Sequence, residues 1–285
     1  MNNQTYKWIA GDGTKLFAQS WNSKHDQKKL ILLVQGLGEH CIRYEHWAQM
    51  FNEKGYSMLS MDLHGHGRSE SKRGHIKSLE VFIGDIDILY NKSNELFPGY
   101  KKILYGHSMG GNLVLNLTIL RNQRVDAIIS TSPWLKLYEE PSPFLFKLTE
   151  YLKIVLPALT ISNRIKPEQI SHDPEVVQNF TRDLLNHDRI SLKMFHKIYQ
   201  AGYNALRNVY KINYPLLIMY GTGDTITSAK ASEDYVMNSS KRARLKLWVN
   251  QYHELQNKFI KEEVIHILFP GLKNTKSEQY AFIPH

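Results

Sequence analysis

The alternation of apolar and polar stretches sets out the elements of this chain before any chemistry is considered. Tyr6 to Ala10 and Lys15 to Trp21 are apolar-rich and flank Gly11-Asp12-Gly13, a pattern that predicts a β-hairpin. The unbroken apolar run Leu30 to Val34 suits a strand buried on both faces. Residues 43–55 read as a helix closed by Gly55, and residues 56–63 as another strand. Helical spacing returns over 78–97, where Leu79, Phe82, Ile83, Ile86, Leu89 and Tyr90 mark one face, and Pro98-Gly99 stops it. Strand 101–106, helix 110–120 and strand 125–131 follow. Much later come strand 214–221, helix 228–239, strand 243–250 and a final helix over 258–268. Strand–helix repetition of this kind predicts an α/β fold, with a mainly parallel central sheet and helices on both faces. Chemistry in such sheets sits in the loops after the carboxyl ends of the strands.

One stretch breaks the rhythm. Residues 134–208 contain helical pieces and no convincing strand. The stretch opens with a segment rich in Leu, Phe, Tyr and Ile, punctuated by Pro141, Pro143 and Pro157. The expected organisation is a core domain from 1–133 and 209–285, interrupted by a helical insertion over 134–208. The polar tail, 271–285, reads as loosely ordered.

Composition narrows this picture. A chain of 285 residues fits one large α/β domain with an insertion. With 42% hydrophobic and 22% charged residues it is too apolar for a disordered protein. The single cysteine, Cys41, excludes an intrachain disulfide and a cysteine-based zinc cluster. Its place in a loop suggests that thiol reagents can reach it. The net charge of +9 raises the question of nucleic acid. The excess is spread as +4, +3 and +2 over residues 1–133, 134–213 and 214–285, so no nucleic-acid partner is expected. No basic leader followed by an apolar stretch opens the chain, and no run approaches the ~18–20 apolar residues of a membrane helix. The expectation is a cytoplasmic protein, with peripheral contact to a membrane or micelle left open.

The strongest chemical signal is Gly106-His107-Ser108-Met109-Gly110, followed by Gly111. It satisfies G-x-S-x-G, with a predicted strand running in and a predicted helix running out, the setting of a nucleophile elbow. A serine at a strained turn needs small neighbours, and the glycines provide them. A serine hydroxyl also needs a base, and the base an orienting acid. Asp224 follows the predicted strand 214–221 and His253 follows 243–250, which gives the order Ser, Asp, His. The oxyanion of a tetrahedral intermediate needs backbone donors. Met109, after the nucleophile, supplies one, and Leu37 in the loop Gln35-Gly36-Leu37-Gly38-Glu39-His40 is the candidate for the other. His64 and His66 flank a glycine and read as loop structure and not as a metal site. Asp62 and Ser69 read as braces of that loop. No metal or organic cofactor is implied.

These segments together resemble the monoacylglycerol lipases and lysophospholipases of the α/β-hydrolase superfamily, which share features with the serine aminopeptidase-type hydrolases. QGLGEHCIRY resembles the oxyanion segment, MDLHGHGRSESKRGHIKS the loop after the next strand, YGHSMGGN the elbow, YGTGDTIT the acid segment and YHELQNK the histidine segment. HDPEVVQNFTRDLLNH in the insertion resembles the family's cap. The family's oxyanion strand usually ends in His-Gly, where this chain has Gln35-Gly36, and its acid loop often carries Val where this chain has Thr227. The resemblance implies an α/β-hydrolase fold and serine hydrolysis of a lipid ester, with monoacylglycerol ahead of lysophospholipids and simple carboxylic esters, and with peptidase or pure binding roles behind. It also implies that Glu39, Arg43 and Gln256 bind substrate at a polar end of the pocket. For Glu39 and Arg43 an ordinary salt bridge is an equal alternative. A dozen apolar residues between Trp134 and Leu156 suggest an acyl tunnel whose lip touches lipid, with Lys136, Lys147 and Lys153 nearby. The oligomeric state is left open.

Overall fold

A computed structural model describes residues 2–25, 27–121, 123–239 and 243–257. In chain order the larger elements are β1 (Asn2–Ile9), β2 (Lys15–Asn22), β3 (Lys29–Val34), α1 (Glu45–Glu53), β4 (Tyr56–Met61), α2 (Leu79–Leu96), β5 (Lys101–His107), α3 (Met109–Leu120) and β6 (Ala127–Thr131). They continue with α4 (Pro143–Val155), β7 (Thr160–Ser162), α5 (Pro174–Arg182), β8 (Arg189–Ser191), α6 (Leu192–Arg207), β9 (Leu216–Gly221), α7 (Ala229–Met237) and β10 (Ala243–Trp248). The helix expected over 258–268 and the polar tail lie outside the described residues.

The central sheet has eight strands in the order β1-β2-β4-β3-β5-β6-β9-β10. β1 and β2 form the expected hairpin and β2 meets β4 antiparallel; every other pairing is parallel. The central strand β3 has five buried residues of six, as a strand covered on both faces requires. One face packs Phe82, Ile83 and Ile86 of α2 with Leu113, Val114 and Leu117 of α3. The other packs Trp47 and Phe51 of α1 with Trp21 and Trp248. This is the α/β-hydrolase architecture, and it brings the loops after β3, β5, β9 and β10 to one edge of the sheet.

Between β6 and β9 the chain leaves this sheet, and here the structure corrects one expectation. The stretch 134–208 does contain strands: β7 and β8 pair antiparallel, Thr160 with Ser191 and Ser162 with Arg189. A ladder three residues long is too short to print a period of two on the sequence. The two longer helices of this stretch differ sharply. α4 has no buried residue, and Phe144, Tyr151, Ile154 and Val155 are each more than 60% exposed. α6 buries seven residues and lies against α3.

A buried ladder of asparagines joins α3 to α6. Asn112 donates to Trp134 O (2.7 Å) and Ile198 O (3.0 Å). Asn116 donates to Ala201 O at 2.9 Å and accepts from Asn204 Nδ2 at 2.8 Å. Asn208 extends the ladder to Asn204. No periodicity in the sequence announces these contacts, because asparagines on a helix read as a polar face.

Candidate active site

Ser108 stands between β5 and α3 with φ 53° and ψ −115°, a strained conformation for a residue with a side chain. The turn closes only because its neighbours are small. A Cβ on Gly106 would come within 2.3 Å of Gly110 O, and one on Gly110 within 2.1 Å of Val34 O. Ser108 N donates to Thr131 O (2.9 Å), and Ser108 O accepts from Trp134 N (3.0 Å), so the adjoining chain fixes the turn from both sides.

The structure brings Ser108, Asp224 and His253 together. His253 Nε2 lies 2.9 Å from Ser108 Oγ, and His253 Nδ1 lies 2.6 Å from Asp224 Oδ2. A carboxylate partner fixes the proton on Nδ1 and leaves Nε2 to accept from the serine. All three side chains are buried. Asp224 Oδ1 accepts from the amides of Ile226 (2.7 Å) and Thr227 (3.2 Å), and Thr227 Oγ1 donates to Oδ2 at 3.0 Å. The polar residue at 227 therefore gives the acid one more donor. Burial works against the Asp224 anion, but His253 and these donors hold its carboxyl below the usual range. Burial likewise works against a charged His253, yet Asp224 raises its proton affinity above that of an ordinary histidine. Ser132 Oγ donates to His253 O at 2.8 Å and ties the histidine loop to the end of β6.

Leu37 and Met109 also reach this edge. Among the described residues neither amide has an acceptor on the protein, as donors kept for a bound oxyanion require. Gln35, at the end of β3, is fully buried. Its side-chain amide lies between Met61 O and Leu63 N, and the orientation that satisfies both has its nitrogen donating to Met61 O (2.7 Å) and its oxygen accepting from Leu63 N (3.1 Å). Gln35 thus anchors the loop as a neutral group and lies outside the reaction space.

Two cavities meet at Ser108 and Leu37. One, of about 260 Å³, is the more polar: Glu39 and Glu254 line it from the core, and Asp183, Asn186 and His187 from the insertion, with Ile165, Ile170 and Phe180 beside them. The other, of about 330 Å³, is the more apolar, lined by Trp134, Leu137, Ile190, Phe195 and Ile226, with Glu139 and Arg164 among its polar residues. The insertion thus forms one wall of both cavities. It is latched to the core at the oxyanion loop, where His187 N donates to Gly38 O (2.9 Å) and His40 Nε2 meets Asp183 Oδ2 (2.6 Å). Gly38 has φ +76°, and a Cβ there would lie 2.1 Å from His187 O, so no other residue fits.

Several expected positions come out differently. Gln256 is buried, its carbonyl accepts from His46 Nε2 at 3.1 Å, and it lines neither cavity. Arg43 forms the salt bridge that its spacing allowed, but with two partners: Nη1 meets Glu39 at 3.2 Å, and both terminal nitrogens meet Glu254 at 3.1 and 3.0 Å. Glu39 does line the polar cavity. Cys41 is fully buried, and burial beside Asp62 pushes its thiol well up, so the expected reach of thiol reagents is corrected. His64 Nδ1 is 2.6 Å from Asp85 Oδ1, an acid brought near only by the fold, and His66 Nδ1 is 2.9 Å from His64 O. Asp62 accepts from the amides of Cys41 and Arg68, and Ser69 bridges Asp62 O to Phe17 N. Glu39, His107 and Glu254 offer metal-ligand atoms within 4.8 Å of one another. The guanidinium of Arg43 already bonds both carboxylates, so this set is satisfied by a fixed cation. Glu254 escaped the sequence reading. Its only signal was its place beside His253; Arg43, 211 positions away, already had Glu39 as a partner in the sequence.

Comparison with known proteins fits this geometry. The family model described as serine aminopeptidase, S33, matches residues 25–258. An abhydrolase domain-containing protein of Dictyostelium discoideum is 33% identical over 98% of this chain; the chain spans 30% of that relative's length. The monoacylglycerol lipase of Mycolicibacterium smegmatis is 27% identical, with 86% of this chain and 88% of that protein covered. The crystal structure of the Paleococcus ferrophilus monoacylglycerol lipase superposes with a TM-score of 0.81 at 29% identity, covering 89% of this chain and 96% of the other. Among the described residues no helix is long and apolar enough to cross a membrane.

Proposed function

The chain belongs to the serine aminopeptidase (S33) family of α/β-hydrolases, and from that premise we propose that it is a serine ester hydrolase that releases a fatty acid from monoacylglycerol. The observation that carries this reading is the continuous line Ser108 Oγ–His253–Asp224, at 2.9 and 2.6 Å, placed where a more polar and a more apolar cavity meet.

In this reading Ser108 attacks the ester carbonyl as His253 Nε2 takes its proton. Asp224 holds the ring and stabilises its charge. The amides of Leu37 and Met109 bind the oxyanion, each contributing about 3–4 kcal/mol to the lowered barrier. His253 then protonates the leaving alcohol and activates water to release the acid. The apolar cavity receives the acyl chain, where each buried methylene contributes ~0.8 kcal/mol. The polar cavity receives the alcohol. Its carboxylates Glu39, Glu254 and Asp183 favour a hydroxyl-rich neutral group over the phosphate of a lysophospholipid.

Residues 134–208 act in this reading as a cap over Ser108. The exposed apolar face of α4, with Lys147 and Lys153 on the same helix, rests on the surface of a membrane or micelle that supplies substrate. A rate panel on monoacylglycerol, lysophosphatidylcholine and nitrophenyl esters of rising chain length tests the assignment, with Ser108→Ala as control. The expected result is highest turnover on long-chain monoacylglycerol and none above background for Ser108→Ala. An optimum at two to four carbons rejects the lipid substrate, and undiminished turnover in Ser108→Ala rejects the nucleophile.

A further inference from the structure

The hydrolytic mechanism uses one carboxylate, Asp224. Two more are buried beside it. Glu39 lies in the loop that carries Leu37, and Glu254 is the residue after His253; they are 5% and 2% exposed. Burying two like charges is expensive, and a buried ion pair with its cation is weak as a source of stability. The arrangement is continuous nonetheless. Gly36 N donates to Glu39 Oε2 at 3.0 Å, and Tyr44 OH donates to the same oxygen at 2.6 Å. Arg43 links Glu39 Oε1 to both oxygens of Glu254. Phe180 of α5 covers the guanidinium, with its ring centre 4.7 Å away. The line therefore runs from an amide next to Leu37 to the peptide neighbour of His253.

Resting on the reading of Ser108, His253 and Asp224 as the reacting groups, we propose that Glu39, Arg43 and Glu254 form a positioning bridge: it holds the oxyanion loop in register with His253, and its net negative charge stabilises the His253 imidazolium in addition to Asp224.

The groups that face His253 bear this out in sign. Asp224 and Ser108 bond its two nitrogens. The His107 ring, from the end of β5, lies 4.9 Å away between centres. Burial pushes His107 down to about 3, so it is neutral at working pH and adds no opposing charge. Burial opposes a charged His253, whereas Asp224, Glu254 and Glu39 favour it. Of the two bridge carboxyls, Glu39 is held low by Arg43 against its own burial, and burial with Glu39 beside it pushes Glu254 up to about 7, so the bridge carries its net negative charge once Glu254 is ionised. His253 is an active base only when neutral. Removing the bridge's charge therefore shifts the acid limb of the rate profile to lower pH, and loosening the oxyanion loop lowers kcat while KM stays near its original value.

The test is the pH profile of kcat and kcat/KM on a soluble nitrophenyl ester for the wild type and Glu254→Gln, with thermal melts and fluorophosphonate labelling of Ser108 alongside. Glu254→Gln is expected to melt cooperatively, to label at Ser108, to lose tenfold or more in kcat with KM changed less than twofold, and to show its acid limb at lower pH. A folded Glu254→Gln with the wild-type limb and kcat overturns the proposal. If Glu254→Gln fails to fold, Glu39→Gln carries the same expectation from the other end. Failure of both to fold assigns the bridge to stability alone and also overturns it. Absence of labelling in the wild type fails the underlying assignment of Ser108 instead, so the two failures are distinguishable.

Discussion

The floor and the roof of the cleft are built on opposite terms. On the floor, contributed by the sheet, each of the three clustered residues is held at more than one point: Asp224 accepts from two amides and a hydroxyl, His253 is bonded at both nitrogens, and Ser108 is fixed by the strand beside it. In the roof, contributed by residues 134–208, α6 is bolted to α3 while α4 leaves its apolar face uncovered. α4 is the more apolar of the two helices, yet it is surface and α6 is core. Apolar residues in a helix show that a face wants covering, but not by what. The floor covers its own; among the described residues, part of the roof is left without cover.

This contrast can be broken, and the largest effect belongs to the floor. Asp224→Asn keeps the shape but presents the wrong hydrogen to His253 Nδ1. It is expected to lower kcat by about 10⁴-fold with little change in melting temperature. A loss below tenfold would mean that Thr227 and the neighbouring amides orient the histidine without a charge. Next comes the bolt between the two regions. Asn116→Ala removes a side chain that serves Ala201 O and Asn204 Nδ2 and strands both, at a cost of about 2–3 kcal/mol. Denaturant unfolding followed by circular dichroism measures it, and a cost under half a kcal/mol would make the ladder ornamental. The smallest effect on the isolated protein is expected at the uncovered face. Ile154→Asp, at a site 72% exposed, should change stability by less than about 0.5 kcal/mol. Turnover of a soluble ester should stay as it was, with turnover of emulsified lipid falling several-fold. Equal losses on both substrates would place α4 in the pocket and remove the distinction between floor and roof.

The sequence made much of the floor legible and little of the roof. Strands buried on both faces print as unbroken apolar runs, which is why Leu30 to Val34 could be read directly. The elbow declares itself through steric demand, since Gly106 and Gly110 have no substitute there. The order Ser108, Asp224, His253 follows from which strands end at the same edge. The bridge of Arg43 to Glu254 was invisible because the partners are far apart and an ion pair has no period. The same holds for the asparagine ladder, for the three-residue strands β7 and β8, and for Gln256, whose burial depends on how the histidine loop turns. Cys41 misled for a related reason: a loop position in sequence says nothing of what packs over it.

The asparagine ladder also bears on how the chain assembles. β6 must find β9 across the whole insertion, with Ile128 pairing to Leu216. Closing so long a loop carries an entropic cost that grows slowly, by roughly 0.6 kcal/mol for each doubling of length, but it delays the pairing. The bonds from Asn116 to Ala201 and Asn204 span most of that loop, so once formed they leave only a short stretch to close before β9. Asp224 and His253 both lie beyond it. A chain emerging from the ribosome thus carries Ser108 for more than a hundred residues before the two side chains that bond into line with it have been made, and the cluster is complete only when the last strands dock.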